Sequence, residues 1–563
     1  MHHRNVEACV EVHSSNVAEI RILIGFGCAA AAVMTFATIL LGRESGVTES
    51  LFASDAMGTL SSSSGNWSLS SSSMGITSAR CPDGFLELNE CEKPGTELED
   101  LPDDLLGEIV SCLTDARDQA RVERVSTRFR KSCKLVKKVK FLCRMKNVQR
   151  CTGPSAKHVT PFKDIVMSKV VHLTCVERLR LEIEDEMQAS RFKEEVIEKN
   201  SLWISDDKFV LQWLPPVSAN LISLTVIDYG QQAIFHQTML LQHLSNFCKN
   251  LQFLELRNMF LDCAPTACST ADQMKPTRLP GVKVLTLRCV KLTENGLKDL
   301  NDCMPNLITL TLVTIVGLRD ARFKSDKLEV LCLGLATRVK SVKLEVNALT
   351  KLQLKMACPD ELRVEARSLQ CLAVCMDKRQ DAIVEFKGVT KLRELLMGAS
   401  EFSTLDKLCS ANPGLEKVFL DVPCMAFEDD GGWKAVLPHV PLNLPNMKHI
   451  KVNCTKLHTL SVGPGLWYSL EQDMKTNPET FSPTWPVLAT LILQIIVQEL
   501  EVSLKLFRAI LESIPSLEKL EVYVHKDSNM ELEELGPFKE LFPTVQWKLD
   551  WWKKGLKFNR FSF

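Results

Sequence analysis

Apolar positions recur along this chain in the spacing L-x-x-L-x-L. The pattern reads LISLTV at Leu221–Val226, LQFLEL at Leu251–Leu256, VKVLTL at Val282–Leu287 and LITLTL at Leu307–Leu312. Further copies begin at Val176, Leu328, Leu349, Leu369, Leu392, Leu415, Met447, Leu488 and Leu517. Alternation at the last two apolar positions predicts a strand with one buried face, and the apolar residue three places earlier turns into the same core. One such unit cannot bury its own apolar side, whereas a stack of them can.

Anchors from Leu307 to Leu415 lie about 20–23 residues apart, which leaves room only for extended or short helical return segments. Earlier units are longer, and LLQHLSNFCKN before Leu251 and GLKDLNDCMPN before Leu307 predict amphipathic helices. The stretches PCMAFEDDGGWKAVLPHVPLNLPN and SVGPGLWYSLEQDMKTNPETFSPTWP concentrate Pro, Gly and Trp and predict ordered loops. VSLKLFRAILESIPSLEKLEVYV predicts a last helix–strand unit, and WKLDWWKKGLKFNRFSF a capping tail. These units resemble leucine-rich repeats. The resemblance implies an α/β solenoid with a curved parallel β-sheet on its concave side.

A different pattern precedes the repeats. LPDDLLGEIVSCL at Leu101–Leu113 places Pro102 at a helix start, Asp103 and Asp104 in the first turn, and Leu105, Leu106, Ile109, Val110 and Leu113 at helical spacing. TDARDQARVERVSTRFRKSC follows and predicts a second amphipathic helix carrying Val122, Val125 and Phe129. The ordered set Leu101, Pro102, Leu105, Leu106, Ile109, Leu113, Val125, Ser126 and Phe129 resembles an F-box. Phe129 stands where that family more often has Trp. The resemblance implies docking to a Skp-type adaptor through Leu101, Pro102, Leu105, Leu106, Ile109, Leu113, Val125 and Phe129, and through it to a cullin–RING ubiquitin ligase. The whole then resembles the plant branch of F-box/leucine-rich-repeat proteins, which implies a substrate receptor of an SCF ligase, with no catalysis of its own. An ordinary helical hairpin capping the repeats is the bland alternative.

The basic run RFRKSCKLVKKVKFLCRMK, Arg128–Lys146, reads as solvated helix faces beside an apolar stripe, with a nuclear-localisation or nucleic-acid reading as the lesser alternative. The chain balances 68 Lys+Arg against 69 Asp+Glu, so its overall charge favours neither nucleic acid nor an acidic substrate. Its 21 cysteines form no C-x-x-C pair and read as reduced apolar residues of a cytoplasmic or nuclear protein. No metal or cofactor is expected, because His439, His449 and His525 lack ligand spacing and no G-x-S-x-G, P-loop or H-E-x-x-H occurs.

Upstream, ILIGFGCAAAAVMTFATILLG at Ile22–Gly42 carries no charge and is just long enough to span a membrane. TLSSSSGNWSLSSSSMGITS then reads as a flexible tether that includes the sequon Asn66-Trp67-Ser68. The expected order is an N-terminal extension at 1–58, linker at 59–95, F-box at 96–145, repeats at 146–540 and tail at 541–563. A membrane-tethered leucine-rich-repeat scaffold without a ligase role is the rival reading. The two agree only if the tethered F-box faces the cytosol.

Specificity is expected on the concave sheet face, where alternate strand residues point outward. Phe253, Glu255, Arg257, Arg288, Lys351, Lys355, Phe419, His449 and Lys451 hold such positions. Arg257, Arg288, Lys351 and Lys355 form a basic stripe suited to an acidic or phosphorylated protein segment.

Overall fold

The computed structural model describes residues 101–552, apart from 147, 149–159, 189–201, 263–276, 377–381, 399–402, 423–424, 428–432, 436–453, 477–484, 486 and 527. The expected membrane span, serine tract and sequon lie outside the described residues, as do the repeat at Met447–Val452, His449, Lys451 and residues 553–563. Among the described residues no helix is long and apolar enough to cross a membrane.

The described chain forms two units, one of residues 101–113 and 121–133, the other of 114–120 and 134–552. In the first, Pro102 (φ −55°, ψ 147°) starts the helix Asp103–Ser111, with both aspartates in its first turn. Its buried stripe is Leu106, Gly107, Val110 and Ser111. The single second helix expected after it is in fact two: Ala116–Val122, most of which belongs to the second unit, and Thr127–Ser132 in the first. Ser126 separates them in extended conformation, and its Oγ accepts a 3.2 Å hydrogen bond from the Phe129 N–H, an N-cap that restarts the helix. The Arg128 guanidinium binds Asp103 at 2.9 Å and the Leu101 carbonyl, fastening the last helix to the start of the first.

The second unit contains a fifteen-stranded sheet whose spatial order follows the chain order. Its strands are Lys138–Cys143, Arg178–Ile183, Ser223–Ile227, Phe253–Arg257, Val284–Arg288, Thr309–Ile315, Val330–Leu335 and Lys351–Lys355. Then come Cys371–Cys375, Glu394–Gly398, Lys417–Asp421, Thr459–Val462, Thr490–Ile495, Lys519–Val524 and Gln546–Trp551. Every pairing is parallel, and the repeated leucines sit in register, Leu254 beside Leu285, then Leu310, Leu331 and Leu352. All five are buried. This is the α/β solenoid that the resemblance to leucine-rich repeats implies.

Short repeats return by strands. Asp320–Lys324, Ser341–Glu345, Glu361–Glu365 and Ile383–Lys387 make a second parallel sheet, with Phe323, Leu344 and Val364 buried. Longer repeats return by helices, including the expected Leu240–Phe247, Gly296–Cys303 and Leu500–Glu512. Polar pins cross between repeats. Asn412, 1% exposed, accepts from the Leu392 N–H at 2.9 Å and donates to the carbonyls of Val389 and Leu408 at 3.0 and 2.8 Å.

Three segments differ from expectation. The basic run holds a strand, not only helices, because Val139, Phe141 and Cys143 alternate inward with period two. Residues Pro464–Thr476 form a helix where a loop is expected, its N-terminal Gly465 N–H donating to Asp421 at 3.2 Å. Gln546–Trp551 is a fifteenth strand rather than irregular tail. The sheet therefore begins within the stretch read as F-box and ends within the stretch read as tail.

Candidate functional site

Two surfaces hold the expected binding residues. On the helical unit, the eight residues of the F-box pattern divide by exposure. Leu106 and Phe129 are buried, Leu101, Ile109 and Leu113 are half-buried, and Pro102, Leu105 and Val125 are exposed. Leu105 is 47% and Val125 54% exposed. Leu106 and Phe129 thus serve the interior. The sequence also gave no warning of the Arg128 clamp, since two contacts of one guanidinium leave no periodic trace.

On the large sheet, the face turned away from the leucine core is arranged in rows by the strand register. One row runs Phe253, Val284, Thr309, Val330, Lys351, Cys371. The next runs Glu255, Thr286, Thr311, Cys332, Gln353, Ala373 and continues through Leu396 to Phe419. Arg257 and Arg288 lie side by side in a third row, and Lys355 sits beyond the register shift after Leu333.

The rows differ in chemistry along the sheet. Arg257 holds Glu255 through Nε at 2.7 Å. Cys332 Sγ donates to Gln353 Oε1 at 3.0 Å, and burial raises the thiol's pKa against the opposing pull of Lys351, Thr311 and Arg288. Nearer the first strand, burial alone would raise the Glu182 carboxyl, but hydrogen bonds from Arg180 and Lys140 hold it below its ordinary value. Phe419 occupies the expected outward position but is only 4% exposed, clustered with Ala373 and Leu396. It is not the open recognition residue that strand alternation predicts, because alternation gives the face and not what shields it.

No group of three metal-ligating side chains occurs among the described residues. The thirteen cysteines described form no disulfide with one another.

A helical unit of F-box pattern with a leucine-rich-repeat solenoid defines the class. The chain resembles F-box/leucine-rich-repeat proteins along most of its length. It is 22% identical over 471 residues to an F-box/LRR-repeat protein of Arabidopsis thaliana, covering 81% of this chain and 99% of that one. No protein-family model matches. Among solved structures, a chain in the crystal structure of the Rad7 and Elc1 complex in yeast is similar at 11% identity, covering 79% of this chain and 92% of that one. Its TM-score is 0.25, too loose a superposition to transfer any contact.

Proposed function

We propose that this chain is the substrate-recognition subunit of a ubiquitin ligase of the SCF type. The helical unit docks a Skp-type adaptor, which joins it to a cullin–RING ligase, while the repeats hold the protein to be ubiquitinated. The chain contributes proximity, not catalysis: it raises the local concentration of target beside the conjugating enzyme.

The observation that carries this reading is the exposure of Leu105 and Val125 at two positions of the F-box pattern. About half of each is still open to solvent, so burying the remainder against a partner is worth roughly 0.7–1.5 kcal/mol each.

The test is co-purification of a purified Skp-type adaptor with the full chain, comparing wild type with a Leu105→Ala, Val125→Ala double variant. Circular dichroism first establishes that both are folded. Adaptor held by wild type and lost by the variant supports the reading. Equal retention, or none by folded wild type, overturns it.

A further inference from the structure

The short helix Thr127–Ser132 turns three side chains to solvent. At about 100° per residue, Phe129 and Ser132 mark its buried side, and Thr127, Arg130 and Lys131 fall on the opposite one. All three are exposed. The hydroxyls on either side of Thr127 are engaged. Ser126 Oγ accepts from the Phe129 N–H, and Ser132 Oγ donates to the Arg128 carbonyl at 3.1 Å. Among the described residues the Thr127 hydroxyl makes no hydrogen bond, and Arg130 and Lys131 make no ion pair.

The residues before Thr127 complete a pattern. The stretch reads RVERVSTRFRK, with Arg124 three positions before Thr127, and Arg124 is exposed. No acidic residue follows Glu123 until Asp164, so nothing in the local sequence offsets these cations. An arginine three residues before a hydroxyl is a charge pattern that one class of protein kinases selects. The helix is six residues long, too short to persist alone, so local opening can present Thr127 in extended form.

We propose that Thr127 is a phosphorylation site for an arginine-directed protein kinase, and that its phosphate weakens adaptor docking. In the transfer, Thr127 Oγ1 bonds to the γ-phosphorus of ATP, the bond from that phosphorus to ADP breaks, and the hydroxyl proton passes to the kinase's base. The product carries a charge of about −1.5 to −2 near neutral pH, with three strong acceptor oxygens. Arg130 and Lys131, three and four residues further along the same face, are placed to hold it. Val125, 54% exposed, lies two residues before Thr127, so their Cα atoms are at most about 7.6 Å apart. A partner closing over Val125 must then strip water from a neighbouring phosphate, which opposes docking. The effect on docking rests on the receptor reading above; the modification site does not.

The test treats the full chain with Mg-ATP and a constitutively active calcium/calmodulin-dependent protein kinase, a member of that arginine-directed class. Peptide mass spectrometry then maps the phosphate. Wild type, Thr127→Ala and Arg124→Gln are compared after circular dichroism shows each to be folded. Wild type is expected to carry phosphate at Thr127, at a rate about tenfold or more above that of Arg124→Gln. Phosphorylated wild type should bind a purified Skp-type adaptor about tenfold or more weakly than the untreated protein, whereas Thr127→Ala binds equally before and after treatment. Thr127 left unmodified in folded wild type, or modified as fast in Arg124→Gln, overturns the site. Equal adaptor affinity of the two wild-type forms overturns the effect on docking. If untreated, folded wild type binds no adaptor, the receptor reading fails and the docking effect with it, while a phosphate mapped to Thr127 still establishes the site.

Discussion

The carboxylate of Asp228 accepts a 2.7 Å hydrogen bond from the backbone N–H of Ser205, one repeat earlier in the chain. It also accepts from the N–H groups of Ile204 and Tyr229, at 2.9 and 2.8 Å. Asp228 is fully buried, so one side chain satisfies three backbone donors that have no access to water. Asp228→Ala is expected to cost about 3 kcal/mol or more, since each stranded donor costs roughly 1–3 kcal/mol. Hydrogen exchange should show the amides of Ile204 and Ser205 opening first, and unchanged protection there would contradict the assignment.

Burial raises the Asp228 carboxyl to about 6 in spite of these donors, and raises Glu471 to about 7 where Trp467 Nε1 donates to it at 2.8 Å. Both folded values lie above those of an unfolded chain, near 4. Between the two values the folded state binds more protons, so stability is greatest at the acid end of the window and falls as pH rises through about 5 to 7. Each group accounts for a few kcal/mol at most, at about 1.4 kcal/mol per unit. Urea midpoints across this range should decline with pH, and Glu471→Gln should flatten the decline. A midpoint that rises with pH in the wild type, or the same slope in the variant, would remove Glu471 from this role.

Much of this architecture is written in the leucine spacing, because each buried strand position must repeat if the units are to stack. Leu254, Leu285, Leu310, Leu331 and Leu352 are legible for that reason. The strand Thr459–Val462 carries the same spacing in Leu457, Leu460 and Val462. Lys138–Cys143 was harder, since its lysines give the run the look of an amphipathic helix while only three inward residues mark the strand. Asp228, Asn412 and Arg128 act across sequence separations of twenty residues or more, so nothing local announces them. The binding surfaces were legible as faces only. Which of Leu105 and Leu106 is exposed, and that Phe419 is shielded, depends on packing from elsewhere in the chain.

Gly317 adopts φ +94°, and a Cβ placed on it would lie 2.1 Å from the Leu292 carbonyl oxygen. The approach follows from the ladder between repeats, in which the Leu292 N–H donates to Val316 at 2.9 Å. Gly317→Ala combines an unfavourable backbone region with a backbone clash that no side-chain rotation relieves, and should cost about 3 kcal/mol or more. Thermal melts of the full chain check this. A variant as stable as wild type would mean that the two repeats separate here at little cost.

Phe129 and Val125 are close in sequence and opposite in role. Phe129 is 6% exposed on the capped helix Thr127–Ser132, whereas Val125 is 54% exposed just before the cap. Phe129→Ala should remove about 3–5 kcal/mol from the helical unit through the cavity it leaves. Val125→Ala should change stability by less than about 0.5 kcal/mol, as exposed substitutions do. Adaptor binding should fall in both, for different reasons. In the Phe129 variant the loss should follow unfolding, and a stabilising osmolyte should recover part of it. In the Val125 variant it should appear as a faster off-rate on a protein whose melt and hydrogen exchange match wild type. If Val125→Ala left the off-rate unchanged, its exposure would be incidental, and the docking surface would have to be sought around Leu105 and the half-buried Ile109 instead.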